Sequence, residues 1–385
     1  MKICEHSQYC GGCIYQGIPY EKQIQIKQNE VDAMLKKSDI LPEINLGFVP
    51  APFQYRYRNK MEYTFGDRCK GGDTTLGMHQ KGHFMNIVTV DECQLVPIEF
   101  NLILKGTLDY CLEKGYSKYN KKSHEGLLRH FIIRKGIRTE ELLLNIVTST
   151  QGEFDDASFV SAMLSLSKNF SSSIVGILHT YNDNIADTVQ CDRQEILYGR
   201  DYYNERIMDL EYRVSAFSFF QTNVEAIERL YKEALSMLDD ISGKIVFDLY
   251  CGTGTITQTL ATKAKKAFGV EIVHDAIGAA VENSKLNGLA NCEFIEGDVL
   301  SVIEHIQSKP DVIVLDPPRV GIHQKALDKI LNYQVDQILY ISCNPKTMVL
   351  NMMQMKQSGY KISKFKAYDN FPGTKHIEAV ALLTK

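Results

Sequence analysis

The chain has 385 residues and a formal net charge of −4, so it has room for two domains and is too acidic overall to coat nucleic acid nonspecifically. Apolar residues make up 44%, enough for a sizeable core, yet no apolar run is long enough to span a membrane. The first residues lack an apolar signal core, so the ten cysteines are expected in a reducing cytoplasm, where clustered thiols mean metal or catalysis rather than disulfides.

Cys4, Cys10 and Cys13 come first, with Gly11 and Gly12 between the last two. Short spacing brings three thiolates to one point, and glycines let backbone amides approach sulfur. Zinc and cluster sites usually take four ligands. Cys93 is a good fourth candidate that spacing alone does not select, and zinc and a [4Fe–4S] cluster both fit the set. Residues 20–37 carry Ile24, Val31, Met34 and Leu35 at helical spacing and predict an amphipathic helix. Residues 55–65 alternate like a strand, with Arg56, Arg58 and Lys60 on one face and Tyr55, Tyr57, Met61, Tyr63 and Phe65 interleaved. Basic and aromatic side chains together suit RNA through phosphate pairing and base stacking. A solvated face over an apolar core explains the same pattern equally well.

Residues 114–138 form the most basic window, with Glu125 as its only acid. A strand over 127–134 carries Arg129 and Arg134, which join Arg56, Arg58 and Lys60 as candidate RNA-binding residues, and 141–148 reads as its hairpin partner. A helix over 156–170 and strands over 174–179 and 189–197 follow. The first half is therefore expected to be α+β with an antiparallel sheet, ending softly near Arg213. Asn223 is a plausible N-cap for a helix running to Leu238, and Gln221 places a polar head just before it.

The second half opens on a strand over 245–247, then Asp248, a turn with Gly252 and Gly254, and a helix over 256–264. A dinucleotide site wants G-x-G-x-x-G, but the third position here is Thr257. An acid before the loop suits a cationic ligand such as S-adenosylmethionine better than a pyrophosphate. Further strands end in Glu271, Asp298, Asp316 and Cys343, with helices between them, which predicts a doubly wound, largely parallel sheet. Glu271 lies seventeen residues past Gly254, where a ribose-binding acid belongs. Asp298 could meet the adenine edge. Cys343 is either a small buried hydrophobe or a thiolate nucleophile presented by the Asn344-Pro345 turn.

Phe220-Gln221-Thr222-Asn223, Asp248-Leu249-Tyr250-Cys251-Gly252, Asp316-Pro317-Pro318-Arg319, Ser342-Cys343-Asn344-Pro345 and His376-Ile377-Glu378 stand in the order seen in the RNA 5-methyluridine methyltransferases. The chain resembles that family over essentially its whole length. The resemblance implies two domains: residues 1–213, an α+β RNA-binding domain bearing the cluster, and 214–385, a Rossmann-like class I S-adenosylmethionine-dependent methyltransferase domain. It implies methyl transfer to carbon 5 of a uridine in structured RNA, 23S rRNA first and tRNA second. Cys343 is then the nucleophile and Glu378 the base, with His376 a rival. Gln221, Tyr250, Glu271, Asp298 and Asp316 become the cofactor-binding set. Cys4, Cys10, Cys13 and Cys93 look like the [4Fe–4S] ligands of the cluster-bearing branch. A cytoplasmic monomer is expected, without the N-terminal TRAM β-barrel of many relatives. Two other classes meet the same residues less well: a nicotinamide- or flavin-linked oxidoreductase, and an RNA-binding module without catalysis.

Overall fold

The computed structural model describes residues 3–186 and 191–385. The first half of the chain forms α1 (Tyr20–Lys37), β1 (Ile44–Val49), β2 (Lys60–Asp67), β3 (Thr74–Gln80), β4 (His83–Thr89), α2 (Ile98–Glu113), β5 (Leu128–Gly136), β6 (Glu141–Thr148), α3 (Asp156–Leu166), β7 (Ser173–Tyr181), β8 (Arg193–Gly199), β9 (Tyr202–Ile207) and β10 (Leu210–Ser215). The second half forms α4 (Val224–Leu235), β11 (Ile245–Leu249), α5 (Thr255–Ala261), β12 (Lys266–Glu271), α6 (His274–Leu286), β13 (Cys292–Glu296), α7 (Val299–Val302), β14 (Val312–Leu315), α8 (Gln324–Leu331), β15 (Gln337–Ser342), α9 (Pro345–Gln357), β16 (Lys361–Tyr368) and β17 (Glu378–Thr384). The expected strand over 189–197 begins partly outside the described residues; its described part is β8.

The chain divides into two compact units, and neither is continuous. One holds the chain up to Gly17, Phe53–Glu205 and Arg213–Phe217; the other holds Ile18–Pro52, Arg206–Tyr212 and Ser218–Lys385. A single boundary near Arg213 does not describe this division, in which residues 18–52 and 206–212 fall in the second unit and 213–217 in the first. Residues 18–52 join the C-terminal unit, because β1 pairs in parallel with β16 as an extra edge strand.

The first unit is built on a sheet of order β4-β3-β2-β5-β6-β7-β8. It is antiparallel except for β6 and β7, which run parallel and are joined by α3. β5 is buried at every position, so its basic residues lie inside. Its apolar residues pack with α2 and α3 in one core that includes Phe100, Phe131 and Phe159.

The second unit carries the sheet β1-β16-β17-β15-β14-β11-β12-β13. β11, β12, β13, β14 and β15 are mutually parallel, and β17 enters antiparallel between β15 and β16. From β11 the chain builds outward through β12 and β13, then returns to the other side through β14 and β15. β11 is thus the switch point, where the carboxyl ends of the strands leave a crevice for ligand. Among the described residues, no helix is long and apolar enough to cross a membrane.

Candidate active site

The turn after β11 is shaped by left-handed backbone at Tyr250 (φ 75°), Gly252 (φ 54°) and Gly254 (φ 77°). A Cβ at Gly254 would come within 2.8 Å of the Phe294 ring, so only glycine lets the loop lie this close to β13. Asp248 is fully buried, and Thr257 donates to its Oδ2 at 2.6 Å while Oδ1 has no partner. The residue standing in the third glycine position therefore holds the acid under the loop. Burial pushes the Asp248 carboxyl up to about 7, with the Thr257 bonds opposing.

At the end of β12, Glu271 accepts from the Gly252 amide (3.1 Å) and from the amides of Ile272 (2.9 Å) and Val273 (3.0 Å). This fixes its carboxylate against the loop. Asp298 follows β13 and caps α7 by accepting from the Leu300 amide at 2.7 Å. Its charge reaches Tyr250, whose hydroxyl is pushed up to about 12, chiefly by burial.

The chemistry gathers where β15 and β17 run side by side. Ser342 stands opposite Ala379, so Cys343 and Glu378 emerge at the same end of neighbouring strands. Asn344 caps α9 through the Lys346 amide (3.3 Å), and its Nδ2 donates to the Arg319 carbonyl at 2.8 Å. That bond ties the turn after Cys343 to the Asp316-Pro317-Pro318-Arg319 segment. Burial pushes Glu378 up to about 8, the Asp316 charge adds to this, and Arg319 opposes it. Asp316 rises to about 7 through burial and the Asp248 charge. Cys343 rises to about 11, first through burial, then through Glu378 and Asp316, with Arg319 again opposing. Four acidic groups thus share one neighbourhood with a single opposing cation.

Tyr231 on α4 completes the group and escaped the sequence reading. Its hydroxyl accepts from Gln221 Nε2 at 3.0 Å, is 2% exposed, and lies within the fields of Asp316, Asp248 and Glu378. A tyrosine on an amphipathic helix reads as ordinary core, and only its spacing from Gln221 hints otherwise. The rival base His376 accepts at Nδ1 from the Arg319 guanidinium, 2.9 Å away. Arginine only donates, so the ring proton sits on Nε2 and the basic lone pair is engaged.

In the first unit, Cys4, Cys10, Cys13 and Cys93 feel one another's charge. Burial and mutual repulsion raise the thiol of Cys13 to about 12 and those of Cys10 and Cys93 by less. The Gly12 amide lies 3.4 Å from Cys10 Sγ. Among the described residues, no group of three or more His, Cys, Asp or Glu stands in metal-holding geometry.

The residues expected to face RNA are largely committed elsewhere. The strand starts at Lys60, not Tyr55, because Arg56 adopts φ 58° and breaks the alternation. Arg56 Nη1 donates to the carbonyls of Cys93 (2.8 Å) and Val96 (2.7 Å), so it braces the Cys93 loop. Arg58 is half-buried, its amide donating to the Leu95 carbonyl at 2.8 Å. Lys60 pairs with Glu62 at 2.6 Å. Arg129 is 3% exposed and donates to the carbonyls of Asn182 (2.7 Å) and Ala186 (3.1 Å). Arg134 is 1% exposed and bonds the Tyr203 hydroxyl. Arg129 and Arg134, expected to bind RNA, are buried because β5 is a central strand covered on both faces.

Comparison with known proteins agrees with this geometry. The model of the tRNA (Uracil-5-)-methyltransferase family matches residues 180–385. An uncharacterised RNA methyltransferase of Clostridium tetani is 46% identical over 382 residues, 99% of this chain and 83% of that protein. One from Caldanaerobacter subterraneus is 46% identical over 384 residues, 99% of this chain and 84% of that protein. A solved structure, the Pyrococcus abyssi tRNA (uracil-54, C5)-methyltransferase in complex with S-adenosyl-L-homocysteine, is similar with a TM-score of 0.80 at 26% identity, covering 97% of this chain and 86% of that one. The chain belongs to the RNA uracil-5 methyltransferase family and is an S-adenosylmethionine-dependent RNA methyltransferase.

Proposed function

We propose that the protein methylates carbon 5 of a uridine in structured RNA through a covalent adduct between Cys343 and carbon 6 of the base. The observation that carries this is the convergence of Cys343, Glu378 and Asp316 at the ends of β15, β17 and β14. The methyl donor supplies an electrophilic methyl on a sulfonium. Carbon 5 of uracil is a poor nucleophile. Cys343, as thiolate, forms an S–C6 bond, and the C5=C6 electron pair passes into an enolate. Carbon 5 then takes the methyl, and the broken C–S pair stays on the donor sulfur. Glu378 removes the proton from carbon 5, the C5=C6 bond re-forms, and the S–C6 pair leaves with Cys343. His376 is the weaker base because accepting a proton at Nδ1 would cost its bond to Arg319. Gln221, Tyr250, Glu271, Asp298 and Asp316 make up the donor-binding set, with Asp248 supporting it from below the loop. Labelled methyl transfer to unmodified RNA transcripts, with Cys343→Ala as control, tests the scheme.

The half-buried cysteine set fits a metal centre in its chemistry. Burial and neighbouring cysteines raise the thiols of Cys10, Cys13 and Cys93, and a bound metal would offset that penalty. We assign Cys4, Cys10, Cys13 and Cys93 to a [4Fe–4S] cluster, in line with the resemblance to the cluster-bearing branch. Its role is structural or RNA-orienting, since the methyl-transfer scheme moves no electron. For RNA contact, the exposed Phe84 with Lys121 over its ring (5.5 Å) and Tyr9 with Arg68 over its ring (4.3 Å) are better placed than the buried arginines.

Large-subunit ribosomal RNA is the substrate we put first, on the cysteine set. A second reading, transfer RNA, is favoured by the likeness to the P. abyssi enzyme. Mapping 5-methyluridine in both RNA pools of a deletion strain separates them, and loss confined to transfer RNA reverses the order.

A further inference from the structure

The buried stripe of α1 runs Tyr20, Gln23, Lys27, Val31, Leu35, so it carries an amide and an ammonium where apolar residues are expected. Lys27 and Asp369 are both 0% exposed, with Nζ and Oδ1 2.7 Å apart. Burying such a pair is justified only when the remaining donors and acceptors are met. Lys27 Nζ also donates to the carbonyls of His376 (2.9 Å) and Phe371 (3.4 Å). Asp369 Oδ1 accepts from the Phe371 amide at 3.1 Å, while its buried Oδ2 has no hydrogen-bond partner among the described residues, so it is the ammonium's donors that are met. Four residues before Lys27 on the same helix face, Gln23 Oε1 accepts from the Gly373 amide at 3.0 Å. Every one of these contacts falls on residues 369–376, the loop between β16 and Glu378. Asn223 Nδ2 adds a bond to the Asn370 carbonyl at 2.6 Å, from the segment that carries Gln221.

We propose that Lys27, with Gln23, is a positioning residue for proton abstraction: α1 clamps the 369–376 loop and so sets where Glu378 meets carbon 5 of the target uridine. The observation is the convergence of a fully buried ammonium on one carboxylate and two carbonyls of the loop ending at Glu378. The clamp has two separable parts. Asp369 neutralises the Lys27 charge, and the Phe371 and His376 carbonyls take the remaining Nζ protons and so fix the loop's course. Lys27 touches neither substrate nor donor in this scheme. Its loss should therefore act on elimination and leave methyl transfer to carbon 5 nearly unchanged. The inference rests on the covalent mechanism proposed above.

The test is a single-turnover assay with labelled S-adenosylmethionine and unmodified transcripts of large-subunit ribosomal RNA and transfer RNA, resolved on denaturing gels. Glu378→Gln is the reference for a trapped adduct. Lys27→Met should form methylated adduct at close to the wild-type rate and release it roughly ten- to a hundredfold more slowly, the scale of a small misplacement of a catalytic group. Lys27→Arg, which keeps charge and donors, should release faster than Lys27→Met. Because Lys27→Met leaves Asp369 buried and uncompensated, Lys27→Met/Asp369→Leu is made alongside it. That pair should regain thermal stability but not release, since the carbonyl contacts stay lost. If Lys27→Met does not fold, the double variant carries the test alone. Wild-type release from the double variant, with adduct still trapped by Glu378→Gln, overturns the clamp and leaves the mechanism standing. No adduct with Glu378→Gln overturns the covalent mechanism, and the clamp's role with it.

Discussion

Replacing Glu378 with glutamine isolates one step of the scheme. The side chain keeps its shape and its burial at 7% exposure but loses the carboxylate. Cys343 attack and methyl transfer precede its action, so both should proceed. Removing a general base slows its step by about 10²- to 10⁴-fold. A methylated protein–RNA adduct should therefore accumulate and survive denaturing electrophoresis. The wild-type enzyme offers a second reading of the same group. With its carboxyl held at about 8, Glu378 in the free site is roughly one part in a hundred ionised at pH 6. Adduct release should rise with pH as Glu378 in the complex loses its proton, and this dependence should vanish in Glu378→Gln.

Stability supplies an independent check with a definite sign. The folded-state value is raised from 4.5 to about 8, so the burial of this group favours the folded state fully below 4.5 and loses that contribution as pH climbs through 8. At about 1.4 kcal/mol per tenfold change in ionisation, the ceiling is about 5 kcal/mol. Water drawn towards the new carboxylate lowers this to the order of 3 kcal/mol. Glu378→Gln should thus be more stable than wild type at pH 9 and indistinguishable at pH 4. An unaltered pH dependence of unfolding, together with normal turnover by the variant and a trapped adduct in His376→Ala, would refute the assignment.

Cys343→Ala should bind donor and RNA yet form no adduct and transfer no methyl; any methylation above background in the label assay ends the nucleophilic mechanism. Anaerobically purified protein should be brown, with iron and acid-labile sulfide that Cys93→Ser loses; stoichiometric zinc without sulfide contradicts the cluster. Phe84→Ala and Lys121→Glu should each weaken RNA binding about tenfold, the scale of one stacking or phosphate contact, and leave donor affinity unchanged. Arg129→Ala should instead lower stability by about 2 kcal/mol through its lost carbonyl contacts, without altering the salt dependence of RNA binding; titrations at several salt concentrations distinguish the two.

The catalytic half was legible because its signals are local. A short apolar strand, an acid at its end and a turn recur from β11 to β14, and β15 ends on Ser342-Cys343 instead, all at the same edge of the sheet. The Asn223 cap of α4 and the Pro345 start of α9 were equally local. What escaped depends on distant partners. β1 is a strand only because β16 offers it an edge more than 300 residues later, at Lys364 opposite Ile44. Lys27 and Gln23 look like the wet face of α1 until Asp369 and Gly373 arrive to meet them, which is why the predicted stripe was Ile24, Val31, Met34 and Leu35. The β5 arginines stand on opposite faces by alternation, yet both are buried, because β2 and β6 flank the strand and cover sits on both its faces. A polar residue's side of an element is decided by its partner, and the partner is not in the local sequence.

The same electrostatics suit the proposed reaction to a cationic donor. At neutral pH the free site holds Glu378 mostly protonated, at about 8, and Cys343 as a thiol, at about 11. On the proposed mechanism, neither the base nor the nucleophile is then in its working form, and Arg319 opposes both shifts. Positive charge arriving at the strand ends near Asp316 favours the ionised form of every acid there. A sulfonium and an ammonium bring such charge, and a dinucleotide's pyrophosphate brings the opposite. The buried acid at Asp248, its Oδ1 without a partner among the described residues, belongs to the same logic: burial raises it to about 7, and a cation arriving above the loop would favour its ionised form. On the proposed mechanism, the acids that would bind the donor are also the groups that, after burial, raise Cys343 and Glu378 in the free site.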